Sequence, residues 1–208
     1  MFTHQAIHDL DRSALHINVG EPDSDLRLLD AALWNIVRNL ARVDPHTASA
    51  NFGLQAETVS VLGEISDEQT MRLASGTVCS FKISADAQSI IEVLKSPARA
   101  NETEFSVIPA TDILYWFCVK KISQRSVEVA AMAFGLPKEL CQLLKESLHQ
   151  QILELIGQVQ IRLTLRHAEG LIQNIVNANI HQKQRDFIYH QSLTKKLQQS
   201  LSRRPASP

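Results

Sequence analysis

The sequence has few of the features that mark secreted, membrane or metal-binding proteins. Only Cys79, Cys118 and Cys141 are cysteines, and none of the three has CxxC spacing. An odd number without that spacing argues against both a zinc ribbon and a disulfide framework. The nearest approach to the roughly 18 uncharged apolar residues of a membrane span, 105–119, is interrupted by Asp112. Because the N-terminus has acidic residues where a signal peptide needs a basic flank, we expect a cytoplasmic protein.

A strong net charge and enzyme motifs are also missing. The 21 Lys and Arg residues nearly balance the 22 Asp and Glu residues, so the formal net charge is -1 and any DNA contact must come from a local basic patch. There is no GxSxG, P-loop or HExxH motif, and Cys79 has no nearby histidine or basic activator beyond Lys82. The sequence therefore predicts a protein that is not an enzyme and that binds no metal or other cofactor.

What the chain does contain is an internal repeat. It matches itself without a gap from Asp30 to Leu94, at an offset of about 82 residues. Trp34 falls on Trp116, and the triplet Phe-Gly-Leu at 52–54 recurs at 134–136. Because both tryptophans of the chain align at this offset, we favour a duplication over a chance similarity between two amphipathic helices. We predict an N-terminal extension over 1–24, a first unit over 25–95, a linker over 96–107, a second unit over 108–178 and a basic C-terminal helix or tail over 179–208.

Within each unit the apolar residues recur mostly at helical spacing. The first helix, with Asp25 as its expected N-cap, stops at Pro45, which cannot continue it. Gly53 and Gly135 each end a short second helix in the left-handed conformation, and Pro137 is expected at the first position of the next one. A capping box is also predicted, in which Ser66 and Gln69 begin a further helix. Helix, glycine turn, helix is the outline of a helix-turn-helix.

The period then changes from helical to alternating in both units. Alternation over about five residues predicts a short half-buried strand, and it occurs at Cys79, Phe81 and Ile83 and again at Ile161, Leu163 and Leu165. Two such strands are expected to pair, since neither can cover its hydrogen-bonding edge alone. The fold prediction is mostly α: two tandem helical units, each with a short extended segment, packed as an intramolecular pseudo-dimer. The expected core and interface residues are Trp34, Trp116, Phe81, Ile83, Leu163 and Leu165.

Four segments of the first unit resemble the FlhD family of flagellar transcription regulators. They are 47–54 (TASANFGL), 57–62 (ETVSVL), 69–74 (QTMRLA) and 78–83 (VCSFKI), and the resemblance extends more weakly to the second unit. It implies a tandemly duplicated FlhD-like activator subunit that acts on DNA with a zinc-bearing FlhC-like partner and RNA polymerase, as a homo- or hetero-oligomer. It also implies that Cys79 can form an interchain disulfide, a role that Ile161 cannot take in the second copy. Because fusion is unusual for flagellar FlhD chains, it points to FlhD-like activators of conjugative elements and plasmids.

The residues that would touch DNA remain open at this stage. The glycine-centred helix pairs are either DNA-reading motifs or helical hairpins, and the second helix of the pair has Lys138 and Lys145 in one copy but no basic residue in the other. The tail, with Lys183, Arg185, Lys195 and Lys196, is either a phosphate-binding stripe or a solvated helix. Two further functions compete: a scaffold or anti-activator that occupies the FlhC-like partner without touching DNA, and a regulator that binds DNA unaided.

Overall fold

The computed structural model describes residues 22–96, 110–177 and 182–202, and in the last range the side chains of 184–194 only. Over these residues the protein is mostly helical, as predicted. The first unit comprises α1 Ser24–Val43, α2 Pro45–Phe52, α3 Ala56–Glu64, α4 Asp67–Leu73, β1 Phe81–Ile83 and α5 Ala87–Lys95. The second comprises α6 Ala110–Arg125, α7 Val127–Phe134, α8 Lys138–Glu146, α9 His149–Gln158, β2 Leu163–Leu165 and α10 Gly170–Asn177, and α11 Gln182–Ser202 follows. The order of elements in the second unit repeats that of the first.

Most helix ends follow the signals in the sequence. Gly53 and Gly135 have φ of 63° and 67°, the left-handed conformation that a residue with Cβ adopts only at a cost. Ser66 and Gln69 form the predicted capping box. The N-cap of α1 is Asp23 and not Asp25, because the Asp23 carboxylate accepts the free backbone amides of Asp25 and Leu26.

A second correction concerns the start of α8. Pro137 lies at the N-cap with extended ψ of 141°, one residue before the first helical position that we predicted for it. Helix boundaries commonly shift by a residue in this way, and the helix itself is where the sequence placed it.

The two strands pair with each other, which confirms the predicted pairing. They run antiparallel with Lys82 opposite Thr164 at the centre, and the backbone bonds continue beyond both ends. Ser84 N donates to Arg162 O at 2.9 Å, and Arg166 N donates to Ser80 O at 2.8 Å. The register relates the two strands by an approximate twofold axis, although each strand is shorter than the alternating segment in the sequence.

Helix packing also crosses between the units. Helix α5 of the first unit packs against α8 and α9 of the second, α10 packs against α4, and the long helices α1 and α6 lie against each other. Lys95 Nζ pairs with Glu139 Oε1 at 2.9 Å, and Gln151 Nε2 donates to Leu94 O at 3.3 Å. Each unit therefore places its strand and last helix on the other unit, and one continuous hydrophobic core runs through both.

Side chains of the long helices hold the C-terminal ends of α3 and α8. Arg42 donates to Gly63 O at 2.7 Å and to Ile65 O at 2.8 Å. Lys120 Nζ donates to the carbonyls of Leu144 and Ser147 in the second unit. A cation at a helix C-terminus satisfies the unpaired carbonyls and complements the helix dipole. The second helix of each glycine-centred pair is thus fixed on its unit. Over the described ranges, no helix is both long and apolar enough to cross a membrane.

Candidate protein and nucleic-acid interface

Each unit presents a helix pair joined by a tight glycine turn. Helix α2 packs against α3 around Gly53, and α7 packs against α8 around Gly135. The turns are built alike, because Leu54 N donates to Ser49 O at 3.2 Å and Leu136 N donates to Ala131 O at 3.1 Å. In both copies the second helix buries one face in the core and turns its polar face outward.

In the second unit this outer face borders a groove of about 520 Å³. The end of α6, the start of α7 and the outer face of α8 line it, with Arg125, Ser126, Val127, Glu128, Lys138, Glu139, Gln142 and Lys145. Both lysines of α8 are exposed: Lys138 Nζ lies 3.8 Å from Glu128 Oε1, and Lys145 forms no ion pair with the described residues. A backbone hydrogen bond, then the charge of Lys138, and to a smaller extent the Ser126 hydroxyl and Lys145, hold the pKa of the Glu128 carboxyl below its usual range.

The corresponding face of the first unit carries the opposite charge. Val43, Ala56 and Gly63 occupy the positions that correspond to Arg125, Lys138 and Lys145, so all three cations of the groove are missing there. The exposed Asp44 and Glu57 remain. The outer face of the second unit is therefore more positive than that of the first.

Apolar side chains are exposed beside the groove. Val129 and Met132 of α7 are 45% and 52% exposed. In the first unit the corresponding residues are the smaller Thr47 and Ala50. Exposed apolar residues are typical of protein contacts, so α7 presents a candidate protein-binding face and α8 presents the two lysines.

Of the four tail residues, only Arg185 has a described side chain, and it is buried. The side chains of Lys183, Lys195 and Lys196 lie outside the described residues. Helix α11 docks on the loop after α4: Tyr189 OH donates to Leu73 O at 2.7 Å, and Ser75 Oγ donates to Asp186 Oδ1 at 2.8 Å. The start of α11 is therefore part of the folded body, which the sequence did not indicate.

The same loop is bound to α1 through a buried carboxylate that sequence reasoning did not single out. Asp30 is fully buried and accepts hydrogen bonds from Ser75 N at 2.9 Å, Ser80 N at 2.7 Å and Ser80 Oγ at 2.8 Å. Trp34 Nε1 also donates to Ser80 Oγ, at 3.0 Å. Burial raises the pKa of Asp30 to about 7, although these hydrogen bonds lower it. The sequence does contain a signal for this buried site. Asp30 is a carboxylate on the apolar stripe of α1 that continues through Leu33 and Trp34.

The second unit has lost this network. Its corresponding carboxylate, Asp112, has no hydrogen bond to the described residues, and burial raises its pKa. Gly157 and Arg162 stand where the first unit has Ser75 and Ser80. Trp116 Nε1 is likewise buried without a hydrogen-bond partner in the part of the chain that the structure describes.

The six side chains expected in the core all lie in the continuous hydrophobic core: Trp34, Trp116, Phe81, Ile83, Leu163 and Leu165. Cys79, the candidate for an interchain disulfide, is also completely buried, and burial raises the pKa of its thiol well above the ordinary value. Its backbone N donates to Ala133 O at 2.9 Å, across the two units. The disulfide stays a prediction, and it requires an opening that exposes this thiol.

The described residues form a mostly helical protein of two interlocked units that share one order of elements. Among the described residues no three His, Cys, Asp or Glu side chains are grouped as a metal site requires. The family model described as "Flagellar transcriptional activator (FlhD)" matches residues 29–108, so this part of the chain is similar to that family. No curated protein and no solved structure matches the chain.

Proposed function

We propose that the chain is an FlhD-like subunit of a transcription activator, in which two fused units replace a pair of separate FlhD chains. The family match over residues 29–108 carries this proposal. The central strand pair supports the fusion, because Lys82 and Thr164 are counterparts at the repeat offset and lie opposite each other. The protein would act in the cytoplasm, on flagellar genes or on those of a conjugative element.

The proposed mode of action is binding to DNA as a complex with an FlhC-like, zinc-bearing partner. A chain of net charge -1 has little non-specific attraction for DNA, since phosphate neutralisation supplies most of that affinity. A basic partner would supply base contacts and further charge, and RNA polymerase would be recruited by the assembly. This chain would contribute phosphate contacts through Lys138 and Lys145, and through the tail lysines Lys183, Lys195 and Lys196. Arg185 is not one of these exposed contacts, because its side chain is buried where α11 docks.

The runner-up is a scaffold or anti-activator that occupies the FlhC-like partner without touching DNA. The exposed Val129 and Met132 favour it, since they suit a protein surface better than a phosphate backbone. On this alternative the chain would still bind the partner, but the complex would not bind promoter DNA.

Co-purification followed by a mobility-shift assay separates these functions. The tagged chain is expected to retain an FlhC-like protein from the same genome, and the complex to shift a promoter fragment that the chain alone does not shift. Retention without a shift would establish the runner-up, and a shift by the chain alone would establish a stand-alone regulator. Failure to retain any FlhC-like protein would contradict the proposed partnership.

Charge substitutions then locate the DNA contacts. The double variant Lys138→Gln, Lys145→Gln should weaken binding of the complex to DNA of every sequence. The slope of the logarithm of the binding constant against the logarithm of the salt concentration should become shallower by up to about one unit for each lost contact. Lys82→Gln is the matched control, because Lys82 is an exposed lysine on β1, away from the groove. Equal effects of the control and the double variant would argue against a phosphate contact at α8.

A further inference from the structure

Arg185 of α11 is a largely buried arginine that forms no ion pair with the residues that the structure describes. Its side chain is nine-tenths buried, and its Nε has no hydrogen-bond partner among them. The adjacent Asp186 is directed elsewhere, because its Oδ1 accepts the Ser75 hydroxyl at 2.8 Å. Neighbouring residues of a helix do not face each other, so Asp186 cannot also enclose the guanidinium.

Two further arginines flank the loop on which this part of α11 docks. Asp23 N donates to Gly76 O at 2.7 Å and Ser75 N donates to Asp30 Oδ2 at 2.9 Å, so the start of α1 lies against the loop. Arg27 lies between Asp23 and Asp30 in sequence, about one turn from each. Arg72 is in the last turn of α4, where the loop begins, and its side chain is 28% exposed. Its Nη2 forms an ion pair with Glu68 Oε1 at 2.6 Å.

The electrostatics agree with this placement. Burial, and then the positive charge of Arg27, lowers the pKa of the Arg185 guanidinium, and Arg72 acts in the same direction. Asp186 opposes these effects only in part. The net effect of burial and of these neighbouring charges disfavours the charged form of Arg185.

We propose that Arg185, together with Arg72, binds a phosphate-type oxyanion where α1, α4 and α11 meet. A buried charge without a partner is costly, and an anion removes that cost. Guanidinium groups donate paired hydrogen bonds that match the oxygens of phosphate, and several cations favour an anion with more than one negative charge. The partly exposed Arg72 gives access from solvent. The site does not depend on the proposed regulator role.

Unfolding midpoints in phosphate, pyrophosphate and chloride at matched ionic strength test the site. For the parent chain we expect a rise on the order of 5–10 °C at a phosphate concentration about a hundred times Kd. Arg185→Gln should abolish the rise, and in chloride it should be at least as stable as the parent, since it removes an unpaired buried charge. A structural role alone would instead lower its stability in both salts.

Two more variants keep the test decisive. Arg72→Gln changes a partly exposed member of the site and should reduce the rise, whether or not Arg185→Gln folds. Arg162→Gln changes an exposed arginine on a different segment and should keep the full rise. No rise in the parent, or an equal rise in the parent and Arg185→Gln, would overturn the proposal.

A final arm identifies the source of the phosphate. A short DNA duplex is compared with inorganic phosphate at the same total phosphate concentration. A rise that depends on Arg185 with the duplex assigns the site to the nucleic-acid backbone. A rise with inorganic phosphate and none with the duplex assigns it to a small phosphorylated molecule.

Discussion

Single residues show how the two units differ within the same order of elements. Asp30 accepts three hydrogen bonds in the first unit, whereas its counterpart Asp112 has none from the described residues. The cause is visible at the donor positions, because Arg162 replaces Ser80 in the second unit. The first unit therefore has a buried hydrogen-bond network, whereas the second has a buried carboxylate without hydrogen bonds from the described residues.

This difference predicts a pH dependence of stability. Burial raises the pKa of Asp30 from 3.8 to about 7 in the folded state, so the folded protein holds a proton that the unfolded chain releases. The free energy of unfolding should therefore fall between about pH 4 and pH 7, with Asp30 contributing up to about 4 kcal/mol. Asp30→Asn should flatten this slope in urea titrations across that range, and Asp112→Asn should flatten it less. If the free energy of unfolding of Asp30→Asn changes with pH as steeply as that of the parent, the Asp30 carboxyl is not the cause of the pH dependence.

The tryptophans give a second prediction at this scale. Trp34 and Trp116 are 1% and 0% exposed, so replacing either by Ala should cost roughly 3–5 kcal/mol. Trp34→Phe should cost about 1 kcal/mol more than Trp116→Phe, because only Trp34 Nε1 loses a hydrogen bond, the one to Ser80 Oγ. Urea denaturation measures both differences. Ready quenching of either tryptophan by acrylamide in the native protein would contradict the shared packing.

At the scale of elements, the glycine turns allow a matched comparison. Gly53→Ala and Gly135→Ala both place a Cβ on a left-handed residue, which costs about 1–2 kcal/mol. At Gly135 the new Cβ would lie 3.0 Å from an Arg166 guanidinium nitrogen, and Arg166 also donates to the Ala133 and Met132 carbonyls at the end of α7. At Gly53 the nearest atom is the Thr164 methyl at 3.9 Å. We therefore expect Gly135→Ala to lower the unfolding midpoint more, and the reverse order would argue against this close approach.

The elements also show what the sequence could predict. Periodicity, the two glycines and the Ser66–Gln69 capping box predicted the helices and turns, because those signals act over a few residues. Alternation at Phe81–Ile83 and Leu163–Leu165 predicted the strands and their pairing. The crossing of α5 and α10 between the units was not predicted, since amphipathic periodicity marks a buried face but not the surface that covers it. The docking of α11 through Tyr189 and Asp186 was missed for the same reason, and its basic composition favoured a solvent-exposed stripe.

For the whole molecule, the interlocked units bear on how chains associate. The purified protein should be one chain of two units or a dimer of such chains. Because Cys79 is completely buried, it should react slowly with a thiol reagent in the native state and rapidly in urea. Non-reducing gels of the parent and Cys79→Ser after oxidation test the disulfide that the resemblance implies. A dimer that survives the substitution would assign the bond to Cys118 or Cys141.

The proposal that this chain binds DNA tightly only together with its partner is tested most directly by DNA affinity at fixed salt. Fluorescence anisotropy of a labelled promoter fragment is measured with the chain alone, the FlhC-like partner alone and the two together. The proposal predicts that the mixture binds far more tightly than either protein, and that the chain alone binds weakly because its net charge is -1. Binding by the chain alone as tight as that of the mixture would contradict it.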